Sequence, residues 1–358
     1  MMKKRSNQIL LGLAVLQALL VVLAFWPRPA AFGRVERFFP DLTGSAFVAL
    51  TVTGEEGQSV TLRQKEGSWV LPEVDDYPVQ SSKIVPLLEK IAALTTGDLV
   101  AQTSASHRQL KVAEDAFVRR LDLEKADGGH IRLYLGTSPR LNSVHLRLDG
   151  QEATYLVSNL STSEVGATAS AWVDLLYFSL PTSDVVRFRL ENAQGVLTLT
   201  REATNTWSLA GLQPGEKVDP NRVDSFLRQA TSIRMMEPLG RERKPEYGMD
   251  NPTAVLTLWT REREITLTVG APNEKKTNYI FISSESPYYV RVASYTVRDL
   301  VEKGRADFLV PPPTPTPTPT PEATPTPAPE ASPTPTEATP AQEPPPAPEA
   351  GPTLTPAP

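Results

Sequence analysis

Ile131-Arg132-Leu133-Tyr134-Leu135-Gly136 and Ile265-Thr266-Leu267-Thr268-Val269-Gly270 are two versions of one phrase. In each, apolar and polar residues alternate at the period of a strand and a glycine follows. The likeness spreads outward in both directions at spacings of roughly 134 to 139 residues. Upstream, Ser45-Ala46-Phe47-Val48-Ala49-Leu50 faces Ser183-Asp184-Val185-Val186-Arg187-Phe188, and Trp69 faces Trp207. Downstream, Tyr155 faces Tyr289. The stretch 41–310 therefore reads as one design written twice, and what the copies share is packing residues.

Each copy opens with three alternating segments separated by turn formers: residues 47–52, 60–63 and 69–71, then 185–190, 196–200 and 207–209. A helix follows. Ile84, Leu87, Leu88, Ile91 and Leu94 recur at helical spacing, and an offset of 139 lands on Val223, Phe226, Leu227, Ala230 and Ile233, one buried stripe written twice. Asp219 before Pro220 is an N-cap signature, and Ser81 or Ser82 is the expected cap of the first copy. After a polar, irregular connection come strands at 116–123, 130–135, 144–148 and 153–157, matched by 254–260, 264–269, 279–282 and 288–292. Asp127-Gly128-Gly129 and Asp149-Gly150 between them favour antiparallel hairpins over parallel crossovers. A short helix at 161–167 and at 294–303 closes each unit. The expected fold is α+β: two tandem similar lobes, 41–178 and 179–310, each a mostly antiparallel twisted sheet with one packed helix and a short closing helix.

The flanks are of different character. A basic N-terminus, residues 1–8, holds Lys3, Lys4 and Arg5. The uncharged run 9–26 behind it would make a helix of about 27 Å at ~1.5 Å per residue, near the thickness of a bilayer core. It reads as a transmembrane anchor with the basic cluster in the cytoplasm and Trp26 at the outer interface, so that the linker 27–40 and all that follows are extracytoplasmic. A cleaved signal peptide is the alternative, but Arg28-Pro29-Ala30-Ala31 makes a poor cleavage site. The tail, 311–358, holds 20 of the 35 prolines and five Glu, with no Lys, Arg or aromatic residue. Such a composition cannot bury a core and reads as disordered, of polyproline II character.

Charge and composition exclude several classes. Removing the five tail carboxylates from 41 acidic residues leaves 36, equal to the 36 Lys and Arg, so the body is formally neutral and lacks the basic footprint that nucleic-acid binding needs. With no cysteine, disulfides, thiol nucleophiles and cysteine-held metals are all out of reach. The three histidines, His107, His130 and His145, form no metal-binding spacing. No cofactor, metal site or catalytic residue is expected. Ser104, Ser106 and His107 lack a nucleophile elbow, and the adjacent acids Asp75-Asp76 and Glu114-Asp115 read as solvated turns.

Trp69 and Trp207 suit core anchors better than exposed sugar platforms because both sit beside the helix stripe. Gly136 and Gly270 read as turn glycines that end a strand ahead of Pro139 and Pro272. The most distinctive loop is Pro245-Glu246-Tyr247-Gly248-Met249-Asp250-Asn251-Pro252. In it Glu246, Tyr247, Asp250 and Asn251 are the candidate contacts for a ligand or partner.

Four phrases resemble the bacterial domain-of-unknown-function family 4340: Ser68-Trp69-Val70-Leu71-Pro72, Leu135-Gly136-Thr137, Trp172-Val173-Asp174 and Tyr247-Gly248-Met249-Asp250-Asn251-Pro252. The resemblance covers most of residues 41–310. It implies a single-span envelope protein whose relatives are often encoded beside gliding-type ABC transporter components, and it brings no established activity or catalytic residue. The expected function is a non-enzymatic, membrane-anchored binding or scaffolding module, its partner an envelope protein or transporter subunit. A cell-wall or glycan binder is the alternative, and an envelope hydrolase the third reading.

Overall fold

The computed structural model describes residues 36–311, apart from Asn205, and Gln17. The basic terminus, the rest of the apolar run 9–26, residues 27–35 and the tail 312–358 lie outside the described residues. Among the described residues no helix is long and apolar enough to cross a membrane.

β1 (Phe47–Gly54), β2 (Ser59–Lys65) and β3 (Ser68–Leu71) form a meander that turns Leu50, Val52, Val60, Leu62 and Trp69 into the core. The short β4 (Tyr77–Pro78) pairs with β3 at the rim, where a proline without an N–H is tolerated. The chain then forms α1 (Ser81–Ala92), β5 (Asp98–Ala101), α2 (Ser104–Leu110), β6 (Arg119–Lys125), β7 (His130–Leu135), β8 (Ser143–Leu148) and β9 (Thr154–Ser158). These strands make a nine-stranded sheet in the order β4-β3-β2-β1-β6-β7-β8-β9-β5, antiparallel throughout.

The second half supplies β10 (Leu176–Ser179), β11 (Arg187–Asn192), β12 (Gly195–Arg201), β13 (Trp207–Leu209), α3 (Pro220–Ala230), β14 (Ser232–Arg234), β15 (Glu237–Gly240), β16 (Ala254–Trp259), β17 (Glu264–Pro272), β18 (Asn278–Ser283), β19 (Tyr289–Ala293) and α4 (Ser294–Glu302). Eight of them form a second antiparallel sheet, β13-β12-β11-β16-β17-β18-β19-β15, the order of the first sheet without β4. The registers agree too. Ser143 pairs with Ser158 in the first sheet and Asn278 with Ala293 in the second, so one offset of 135 serves both strands. A bulge falls between Leu99 and Ala101 in β5 and between Pro238 and Gly240 in β15. The two-stranded ladder β10-β14 corresponds to a single bridge, Arg37 to Thr95, before the first sheet.

All ten apolar positions of the two helix stripes are buried, and one continuous core runs through both sheets by way of Trp172, Val173, Phe178 and Met235. The α+β class holds. Several details differ from the sequence reading, each for a physical reason. Register places Tyr289 opposite in kind to Tyr155: Thr154 is its counterpart at the common offset, and a slip of one residue reverses the face of a strand. Tyr155 accordingly packs at the main core, while Tyr289 lies in a small cluster on the other side of the second sheet. Asp219 caps α3 by accepting from the Asn221 N–H at 3.0 Å, but neither Ser81 nor Ser82 caps α1. Gln80 holds that position, its own N–H donating to Trp172 O.

The closing helix exists only as α4; residues 161–167 make a single 3-10 turn, Thr162–Glu164. Gly166 comes five residues after Ser161, whereas Gly304 comes ten after Ser294, which leaves room for a helix in one copy only. The connection read as irregular contains β5, β14, β15 and α2. Bulges, Pro238 and Gly240 break the period of two by which strands are recognised.

Candidate functional site

Two glycines position the distinctive loop. A Cβ on Gly270 would come within 2.1 Å of Tyr247 O, and one on Gly136 within 2.0 Å of Leu110 O. Neither glycine has positive φ. Their role is thus to let a backbone carbonyl press against the sheet, not to permit a turn, and Gly270 lies inside β17 instead of ending a strand. In the first lobe the carbonyl so held ends α2; in the second it ends the 3-10 turn Pro245–Tyr247, which Gly248 closes in the left-handed region at φ 66.

Held this way, Tyr247 is buried against Tyr289, ring centroids 5.2 Å apart, with Ile280 completing a small apolar cluster. Burial raises the Tyr247 phenol above its ordinary pKa. Beside the cluster opens a groove of about 440 Å³. Val74, Pro238, Leu239, Ala271, Pro272 and Ile280 give it apolar surface, and Glu237, Lys244, Glu246, Asn273, Asn278 and Arg291 give it polar walls. Arg291 donates to Glu237 at 2.7 Å and to Asn278 Oδ1 at 3.4 Å, which fixes one wall. Of the four loop candidates, Glu246 and Tyr247 line this groove; Asp250 instead pairs with Arg243, and Asn251 is exposed outside it.

Val74 belongs to the first lobe, so the groove straddles the junction of the two sheets. The junction is built on Asp75 and Asp76, consecutive residues in the left-handed region at φ 57 and 60. The Asp75 carboxylate accepts from the Arg241 N–H at 2.6 Å, and Asp76 pairs with Lys65. The Tyr288 hydroxyl donates toward the carbonyls of both aspartates, while the Arg241 guanidinium stacks on the Tyr288 ring at 4.6 Å. Tyr77 meets Tyr288 edge to face at 4.6 Å, and Tyr177 donates to Tyr288 O at 2.7 Å. Burial pushes the Tyr77 phenol up to about 12 and raises that of Tyr177. The acids read from sequence as a solvated turn are therefore a latch between the sheets. Tyr77, Arg241 and Tyr288 escaped the sequence reading, and Asp75 was read only as part of a turn. The available signal was a difference: where the first copy has Asp75-Asp76-Tyr77, the same offset that joins the tryptophans gives Gln213-Pro214-Gly215.

Trp69 and Trp207 are 5 % and 9 % exposed and stand in the core, Trp207 edge to face with Phe188 at 5.6 Å. His107 lies on α2 with its Nε2 on Glu152 O, and Ser106 bonds Thr103 instead of His107. Among the described residues no three His, Asp or Glu side chains converge as a metal would require. What the groove offers is an apolar floor flanked by hydrogen-bonding side chains and by charges of both signs.

The family described as Domain of unknown function (DUF4340) matches residues 69–252, from β3 through the Tyr247 loop, a shorter stretch than 41–310. No curated protein and no solved structure matches the chain.

Proposed function

This chain belongs to the family described as Domain of unknown function (DUF4340), and on that footing we propose that it is a non-enzymatic binding or scaffolding module of the bacterial envelope. In this reading residues 9–26 anchor it in the cell membrane by a single pass, with the N-terminus cytoplasmic and the body and tail outside. Its partner is another envelope protein, a transporter subunit being the kind that the family resemblance suggests. The observation that carries the reading is the groove at the sheet junction, with Glu246 and Tyr247 on a loop clamped by Gly270 and a facing wall fixed by the Glu237–Arg291 pair. A binding role is favoured over a catalytic one because Glu237 is committed to Arg291, Asp75 to the Arg241 backbone and Asp76 to Lys65. A protein partner is favoured over a glycan because the two repeated tryptophans are core residues, and Trp259 is already covered by the Arg187 guanidinium at 4.5 Å.

Crosslinking in native membranes followed by purification of the full chain tests this. The expected result is a discrete adduct with a membrane or envelope protein. Recovery of the chain with cell-wall polymer alone, in repeated trials, contradicts it.

A further inference from the structure

β5 and β15 occupy the same place at the ends of their sheets, yet only β15 is covered. Its free side meets the turns Pro72–Val74 and Ala169–Ala171, and the Arg241 N–H that follows it is taken by Asp75. β5 has no such cover among the described residues, and its Leu99 and Val100 are 49 % and 44 % exposed. A third large apolar residue stands at the same end of the sheet. Leu141 is 94 % exposed in the loop that leads into β8. The pairing of Ser143 with Ser158, the bond from Asn159 N to Asn142 O, and the pairing of Asp98 with Leu156 set the start of β8, the end of β9 and the start of β5 side by side.

The chain reaches the folded body at this same end. Glu36 N donates to Thr96 Oγ1 at 3.0 Å, Thr96 N donates to Glu36 O at 2.7 Å, and Arg37 bridges Thr95, just ahead of β5. Only residues 27–35 separate Glu36 from the apolar run 9–26. Even fully extended, the ten steps from residue 26 to residue 36 span about 35 Å. The uncovered apolar edge is thus the part of the body tied closest to that run, and Arg37 and Arg140 are exposed beside it together with the carboxylates of Glu36 and Asp98.

We propose that this end of the first sheet is a membrane-docking surface: Leu99, Val100 and Leu141 enter the interfacial layer of a phospholipid bilayer while Arg37 and Arg140 meet headgroup phosphates. The proposal rests on the reading of residues 9–26 as a membrane anchor. Depth is limited by the backbone, because the free N–H and C=O groups of β5 need water or headgroup partners and cannot enter hydrocarbon. The contact is interfacial, and its strength comes from the few apolar side chains together with the tether that holds them there.

The absence of native cysteine allows a direct test. Single-cysteine full-length chains L141C, L99C, E262C and L16C, each carrying an environment-sensitive fluorophore, are reconstituted in phospholipid vesicles. Each is then challenged with a lipid-borne quencher and with aqueous iodide. The expected result is several-fold stronger lipid-borne quenching at positions 141 and 99 than at position 262, with position 16 quenched most. Lipid-borne quenching at position 16 with only iodide quenching at 141 and 99 overturns the docking surface and leaves the anchor standing. Iodide quenching at position 16 overturns the anchor and the docking surface together. Leu141 is almost wholly exposed, so its substitution leaves the fold intact.

Discussion

Single residues in this protein act mostly by being the right size in a crowded place. Trp207 closes an aromatic row with Phe188, Phe226 and Phe308. Trp207→Ala is expected to lower unfolding stability by roughly 3 to 5 kcal/mol, read by denaturant titration; an unchanged midpoint would remove the tryptophan from the core. Gly270→Ala places a methyl group against Tyr247 O and should cost about 1 to 3 kcal/mol. Gly215→Ala is a contrasting case, because nothing approaches that position and its cost comes only from φ 92. Tyr77 supplies a pH dependence. Its folded pKa, about 12, lies above the ordinary tyrosine value of 10.0, so its contribution is complete below pH 10 and lost as pH rises through 12. Stability should fall across that window by up to ~1.4 kcal/mol per pH unit, and Tyr77→Phe should flatten the slope. An unaltered slope in the variant would assign the effect elsewhere. Trp69, Trp207 and the helix stripes were legible because large apolar residues at a fixed period have one plausible destination. Tyr155 and Tyr289 were not, because identity of residue type says nothing of register, and one position in a strand is the difference between two faces.

Secondary-structure elements divide by how much of their pattern is local. α1, α3 and the long central strands carry their period in the sequence and form where the period predicts. β4, β5, β14 and β15 are two to four residues long, all but β14 carry a bulge or a proline, and they exist because a neighbouring strand is already in place. The candidate loop was legible as a loop, but the groove was not, since Val74, Glu237 and Arg291 meet Glu246 only after both sheets have formed. Helix caps give a test at this scale. Asp219→Ala should destabilise by ~1 kcal/mol through loss of its bond to Asn221 N, while Ser81→Ala should change little because no side-chain bond caps α1. Thermal melts of the two variants check this, and equal losses would contradict the cap assignment.

At the scale of the whole molecule, two sheets of one topology share a core, and their differences collect where they meet. The latch of Asp75, Arg241, Tyr77 and Tyr288 has no counterpart within either sheet, and the groove opens beside it. The repeat is thus the frame, and the proposed site lies at the junction. The most direct test puts a photo-crosslinking side chain at position 246, inside the groove, and at position 262, on the turn between β16 and β17, in the full-length chain in its native membrane. A discrete protein adduct is expected from position 246 and none from position 262. Equal adducts from the two positions, or none from position 246 in repeated trials, would contradict the proposed site.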